Sequence, residues 1–160
     1  MSELMLKSVY DLLDKNYFIP SYQRGYRWEK RQIQDLLEDF YSFARKTNKS
    51  NGSFYCLQPI VVKKCDEATK TTNGLQSELD NNEWYEVIDG QQRLTSIYLL
   101  LRYLIDTDRH NLYSNCGKHL FRLSYQTVGN AKKRRIINHS VIFGGLFFQS
   151  KHIFAIFVPN

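Results

Sequence analysis

Two short stretches combine residue types suited to holding phosphate. The first is Val87-Ile88-Asp89-Gly90-Gln91-Gln92-Arg93-Leu94, an apolar run that ends in Asp-Gly and passes straight into helical periodicity. The first turn of a helix leaves backbone N–H groups without intrahelical acceptors, and the helix dipole adds partial positive charge there. Such a junction attracts anions. Gly90 permits a tight turn and close approach of a ligand. Gln91 and Gln92 bring amides that can donate to phosphate oxygens, and either can position an attacking water. Arg93 supplies a planar, permanently charged fork that matches phosphate oxygens. Asp89 has two readings, a helix N-cap or a carboxylate that holds Mg²⁺ through water. The plain alternative for Gly90 to Arg93 is a solvated helix start. A cation there opposes the dipole, so Arg93 then needs an anion or an acidic partner nearby.

The second stretch is Ile19-Pro20-Ser21-Tyr22-Gln23-Arg24-Gly25-Tyr26-Arg27-Trp28. Arg24 and Arg27 can contact phosphates, and Tyr22, Tyr26 or Trp28 can stack on a base. The alternative is that Tyr26 and Trp28 cap the core and the arginines are solvated. No other chemistry is legible. His110, His119, His139 and His152 have neither HExxH nor HNH spacing, and GxxxxGK[ST] and GxSxG are both missing. Cys56, Cys65 and Cys116 form no CxxC pair, which argues against a zinc knuckle or a disulfide framework and for free thiols.

The elements that must carry these stretches follow from apolar spacing. Ser8 to Leu13 reads as a short helix with a capping box from Ser8 to Asp11. Tyr17-Phe18-Ile19 reads as a strand that stops at Pro20. Ile33, Leu36, Leu37, Phe40, Phe43 and Ala44 mark an amphipathic helix from Glu29 to about Lys46. Phe54 to Lys64 and Trp84 to Ile88 read as strands, and Asp66 to Asn82 as a polar loop. Gln91 to Asp106 is a helix with Leu94, Ile97, Tyr98, Leu101, Leu104 and Ile105 on one face, and Phe121 to Tyr125 reads as a strand.

The 160 residues, 42% hydrophobic and 14% aromatic, suit one folded domain of the α/β (α+β) class. No signal peptide is legible at the N-terminus, and no apolar run approaches a membrane span, so a cytoplasmic location without a membrane partner is expected. The net charge of +6 is unevenly spread. All 16 acidic residues lie at or before Asp108, and eight Lys/Arg follow it. That basic end contains Lys132-Lys133-Arg134-Arg135, which suits a DNA backbone.

Three pieces in order resemble a known family. They are Phe18-Ile19-Pro20-x-Tyr22-Gln23-Arg24-x-Tyr26-x-Trp28, Leu57-Gln58-Pro59-Ile60-Val61-Val62, and Tyr85-Glu86-Val87-Ile88-Asp89-Gly90-Gln91-Gln92-Arg93-Leu94-Thr95-Ser96. The order resembles the N-terminal domain of GmrSD-type, modification-dependent restriction proteins, and more distantly ParB and sulfiredoxin. The resemblance covers about residues 8–108. It implies a small ParB/sulfiredoxin-like domain, a mixed sheet with flanking helices, that binds a nucleoside triphosphate and hydrolyses it with Mg²⁺. Hydrolysis would license cleavage of modified foreign DNA by a C-terminal HNH-type nuclease domain or partner subunit. It makes Asp89, Gln91, Gln92 and Arg93 the candidate catalytic residues, with Asp89 the metal ligand. Tyr22, Gln23, Arg24 and Gly90 become nucleotide-binding. A ParB-like DNA-binding module without turnover, or an inactive fragment, stays open beside this.

The family texture fades after about Thr127, so residues 1–127 are expected to form the nucleotide-binding domain and 128–160 a basic and apolar tail. The tail is expected to be a frameshifted or truncated end of a longer gene. The alternatives are a DNA-contacting arm at Lys132 to Arg135 and an ordinary packed segment.

Overall fold

The structure is a computed structural model that describes residues 5–48, 50, 52–76, 83–107, 117–126 and 153–159. Its elements in order are β1 (Met5–Ser8), α1 (Val9–Leu12), β2 (Asn16–Ile19), α2 (Lys30–Arg45), β3 (Tyr55–Lys64), α3 (Glu67–Asn73), β4 (Trp84–Asp89), α4 (Gln91–Asp106), β5 (Arg122–Tyr125) and β6 (Ile153–Pro159). They form the expected α/β arrangement, a mixed sheet with helices. Four strands, β3-β4-β2-β5, carry the two phosphate-suited stretches, and β6 and β1 extend the sheet beyond β3.

The pairing directions decide what meets at the sheet end. β2 runs parallel to β4, with Asn16 opposite Trp84 and Phe18 opposite Glu86. It also runs parallel to β5. Parallel neighbours emerge from the sheet on the same side, so Pro20 and Gly90 leave side by side although 70 residues separate them. Ligands of open α/β sheets gather beyond such carboxyl ends. β3 instead runs antiparallel to β4.

Alternation along the strands splits the core in two. Tyr17, Ile19, Ile60, Val62 and Val87 join Leu12, Phe40, Leu94, Ile97 and Phe121 in the main cluster. Phe18 and Trp84 point the other way and meet Cys65 and Leu75. β2 is buried along its whole length because it has a parallel neighbour on each side. That burial extends to Asn16, whose Nδ2 donates to the Glu83 carbonyl at 2.9 Å. Burial pushes the Cys65 thiol up to about 11, which keeps it protonated and inert.

The helices expected at 29–46 and 91–106 are present within a residue at each end, and Ser8 forms its capping box with Asp11. The stretch from Asp66 to Asn82 differs from expectation. It holds α3, opened by Asp66, whose side chain accepts from the Thr69 N–H, and closed by Gly74 in the left-handed region. α3 buries none of its own side chains, so it leaves no apolar period to read. β1 was not expected, and β6 lies in the stretch read as a tail, where it pairs antiparallel to β1 and parallel to β3. Lys132 to Arg135 lie outside the described residues, as does Cys116.

Phe121 joins the helices to the sheet, edge-on to Tyr17 at 5.3 Å and against Tyr98 at 5.5 Å between ring centroids. Replacing it with Ala should cost about 3–5 kcal/mol, because a full ring leaves a cavity that the strands cannot close. Urea unfolding would show it as a fall in midpoint without a change in slope. A loss below about 1 kcal/mol would mean that the ring is not a core element.

Candidate functional site

At Gly90 the chain turns from β4 into α4 with a φ of 87°. A Cβ built there would stand 3.0 Å from the Ile60 Cα and 3.1 Å from the Pro59 carbonyl oxygen. Glycine is required twice over, by the dihedral and by the contact with β3. Asp89 is therefore not the helix cap. Gly90 takes that position, no side chain caps α4, and the first turn contains no acidic residue. Asp89 ends β4 with its side chain 72% exposed.

Arg93 points back to β3. Its guanidinium donates to Gln58 Oε1 at 2.7 Å and to the Pro59 carbonyl at 2.6 Å, with Asp89 Oδ2 at 3.4 Å. Pro59 makes this possible. It brings no N–H to the ladder, and the pairing of β3 with β6 shifts register between Leu57 and Ile60. The Arg93 side chain is only 18% exposed. It braces the Gly90 turn against β3, and its charge is balanced by two neutral acceptors and one carboxylate. Gln58 carried no expected role. It lies in the Leu57 to Val62 stretch, where nothing in its residue type marks it as a partner of Arg93.

The upstream stretch forms a loop between β2 and α2 that is tied down chiefly by side-chain amides. Gln23 Nε2 donates to the carbonyls of Val87 and Ile88. Gln91 Nε2 donates to the Arg24 carbonyl. Gln92 Nε2 donates to the Gly25 carbonyl at 3.1 Å, and its Oε1 accepts from the Arg27 N–H at 2.8 Å. Ser96 Oγ donates to the Gln92 carbonyl at 2.8 Å, so Tyr26 Oη donates to Ser96 Oγ at 3.0 Å. Buried backbone polar groups need partners, and here the glutamines of one stretch provide them for the other.

The two stretches enclose a cavity of about 580 Å³, within the usual range for small-ligand sites. Tyr22, Gln23, Arg24, Asp89, Gly90, Gln91, Gln92 and Arg93, all singled out from the sequence, line it. So do Arg27 and Trp28, and Gln32, which was missed. Gln32 sits in the first turn of α2, where its Oε1 accepts from the Glu29 N–H at 3.0 Å, so the sequence shows it as ordinary capping. Arg24 and Arg27 are exposed and make no ion pair among the described residues. Tyr22 Oη donates to Glu86 Oε1 at 3.1 Å at the rim, and partial burial together with that carboxylate pushes the phenol pKa up. Gln91 is 8% exposed, and its Oε1 is buried without a hydrogen-bond partner. An unmet buried acceptor costs about 1–3 kcal/mol.

Among the described residues no three His, Cys, Asp or Glu side chains converge as a metal site. Among the described residues Asp89 is the only carboxylate on the cavity wall. Mg²⁺ commonly takes one or two carboxylates and completes its shell with phosphate oxygens and water, so Asp89 fits that ion only together with a phosphorylated ligand. No described helix is long and apolar enough to cross a membrane. Neither Cys56 nor Cys65 lines the cavity.

The GmrSD restriction endonuclease, N-terminal domain family model matches residues 6–151, which span both stretches, the brace at Gln58-Pro59 and Lys132 to Arg135. No curated protein matches the chain.

Gly90→Ala should lose about 3 kcal/mol of stability, from the left-handed dihedral and the clash with Ile60. Arg93→Ala should lose about 2–3 kcal/mol, and Arg93→Lys nearly as much, because an ammonium cannot span both acceptors. Denaturant unfolding of the three variants checks both expectations. Wild-type stability in Arg93→Ala would show that the brace contributes nothing.

Proposed function

The chain belongs to the family of GmrSD restriction endonuclease N-terminal domains, and from that premise we propose that it binds a nucleoside triphosphate in the cavity between its two glutamine-bearing stretches and hydrolyses it as part of a DNA restriction system. One observation carries the reading. Arg24 and Arg27, with no acidic partner among the described residues, line the same cavity as the uncapped N-terminus of α4. Two cations without an acidic partner and a set of unused N–H groups favour a polyanion of triphosphate size.

The residues divide the work. Arg24 and Arg27 meet the phosphate charge, and the Gln92 and Gln91 contacts hold their backbone still. Charge that moves onto phosphate oxygens in the transition state is then met by cations that the loop holds at the cavity. The first turn of α4 supplies N–H donors beside Gly90. Tyr22, 67% exposed at the rim, offers a ring face to a base. Asp89 would hold Mg²⁺, which when bound neutralises charge on the phosphates. Arg93 acts through the turn that it braces. DNA is the partner that membership of a restriction family implies, in the cytoplasm, with a nuclease domain or subunit as the recipient of the nucleotide signal.

Each of the four common ribonucleoside triphosphates, titrated with Mg²⁺, tests this by protection from thermal unfolding. A ligand at 100 times its dissociation constant should add about 2.7 kcal/mol. Arg24→Ala and Arg27→Ala should each weaken binding about 10–100-fold, the loss of one charged hydrogen-bonding partner. Phosphate release then separates hydrolysis from a nucleotide switch that binds DNA without turnover. No protection by any of the four nucleotides would overturn the assignment.

A further inference from the structure

Tyr26 belongs to the upstream stretch, yet its neighbours Tyr22, Arg24, Arg27 and Trp28 line the cavity and it does not. The sequence leaves two roles open for it, a platform for a base or a cap on the core, and neither accounts for its hydroxyl. The half-buried phenol donates to Ser96 Oγ at 3.0 Å, and Ser96 Oγ donates in turn to the Gln92 carbonyl at 2.8 Å. The Gln92 side chain returns to the residues on either side of Tyr26, its Nε2 to the Gly25 carbonyl and its Oε1 to the Arg27 N–H. A closed ring of hydrogen bonds thus joins Gly25-Tyr26-Arg27 to the start of α4.

The seat of the phenol is itself held. Ser96 is 4% exposed, and Thr95 beside it is fully buried. Buried hydroxyls need partners. Thr95 has one in Tyr125 at the end of β5, with 2.6 Å between Oγ1 and Oη. Ser96 has Tyr26. Tyr26 lies in the first of the three sequence pieces that resemble the family, and Thr95-Ser96 ends the third. The nucleotide reading alone gives none of these three residues a task.

We infer that Tyr26 is a positioning residue of the site: its hydroxyl, seated on Ser96, sets where the backbone of Arg24 and Arg27 stands against α4. This rests on the reading of the cavity as a nucleoside triphosphate site. Tyrosine suits the role because it has two side-chain torsions and carries its anchor at the tip of a rigid ring. Fixing that oxygen restricts the backbone more tightly than an amide on a longer, flexible chain does. Burial pushes the phenol pKa up, so the proton that it donates stays on the ring at neutral pH. Tyr26 touches no ligand. Without its anchor the loop is seated on α4 for a smaller fraction of the time, and the apparent affinity for a phosphate chain falls with that fraction.

Calorimetric titration tests this, with the nucleoside triphosphate that best protects wild type, in Mg²⁺, and separately with inorganic tripolyphosphate. Wild type, Tyr26→Phe, Ser96→Ala and the double variant are compared at a temperature where all four are folded. Tyr26→Phe should weaken both ligands alike, about threefold to tenfold, the loss of one hydrogen bond. Ser96→Ala should match it, and the double variant should lose no more than either single one, because the two hydroxyls act as one link. Weaker nucleoside triphosphate binding with tripolyphosphate unchanged would mean that Tyr26 reads the base or sugar, and the inference fails. It fails too if Tyr26→Phe binds both ligands like wild type, whatever its unfolding midpoint, since the tyrosine is then purely structural. Wild-type binding in Ser96→Ala, or losses that add in the double variant, would place the hydroxyl's action elsewhere and overturn it. All of these outcomes leave nucleotide binding standing. A wild type that binds the nucleotide but not tripolyphosphate also overturns the inference, because the phosphate chain then does not carry the contact. A wild-type chain that binds no nucleotide removes the site and this inference together.

Discussion

At Gly90 two backbones come so close that no side chain fits between them. The turn out of β4 has a φ of 87°, and a Cβ there would lie 3.0 Å from the Ile60 Cα. That contact sets where α4 begins, and so where its free N–H groups point. It also places Arg93, one turn along the helix, within reach of the Pro59 carbonyl and Gln58. The brace exists because Pro59 interrupts the ladder between β3 and β6. A proline that weakens a strand locally thereby becomes the anchor for a helix start.

The second constraint is the parallel pairing of β2 with β4. It delivers the loop after Pro20 to the same edge as the Gly90 turn. The loop has few backbone bonds of its own, the bond from the Gln23 N–H to the Pro20 carbonyl among them. The amides of Gln23, Gln91 and Gln92 close the remaining distance. Amides suit this work because each offers a donor and an acceptor without a charge that would compete with the ligand. A carboxylate at Gln91 or Gln92 would place a negative charge beside the helix N-terminus and cancel its attraction for an anion.

Long elements with strong periodicity were legible in the sequence. The apolar face of α4 and the strand at β4 could be read directly, and so could the junction between them. Short elements were less so. α3 buries no side chain and shows itself only in its ends, Asp66 and Gly74. β6 carries an apolar run that a sequence reader cannot assign, because its partners β1 and β3 lie about a hundred residues or more away in the chain. Within the site, the choice of residues was legible but their division of labour was not. Residue type shows that a glutamine can donate and accept. It does not show which end a neighbouring carbonyl will occupy.

Arg93 shows why that distinction matters. A cation near the start of a helix opposes the dipole, so its presence demanded a counter-charge, and a bound phosphate was the obvious candidate. The fold meets the demand internally, through Asp89, the Gln58 amide oxygen and the Pro59 carbonyl. The Asp89 pair is long and exposed on one side, so it contributes little by itself. The two neutral acceptors hold the guanidinium in place. Positive charge for a ligand must then come from outside the helix, and Arg24 and Arg27 are the cations on the cavity wall that no acid in the described chain neutralises. In this reading the arginine inside the motif shapes the site, and the arginines of the upstream loop supply its field. The glutamine contacts that hold the loop backbone therefore serve the site's electrostatics as well as its structure, since they keep both arginines at the cavity wall.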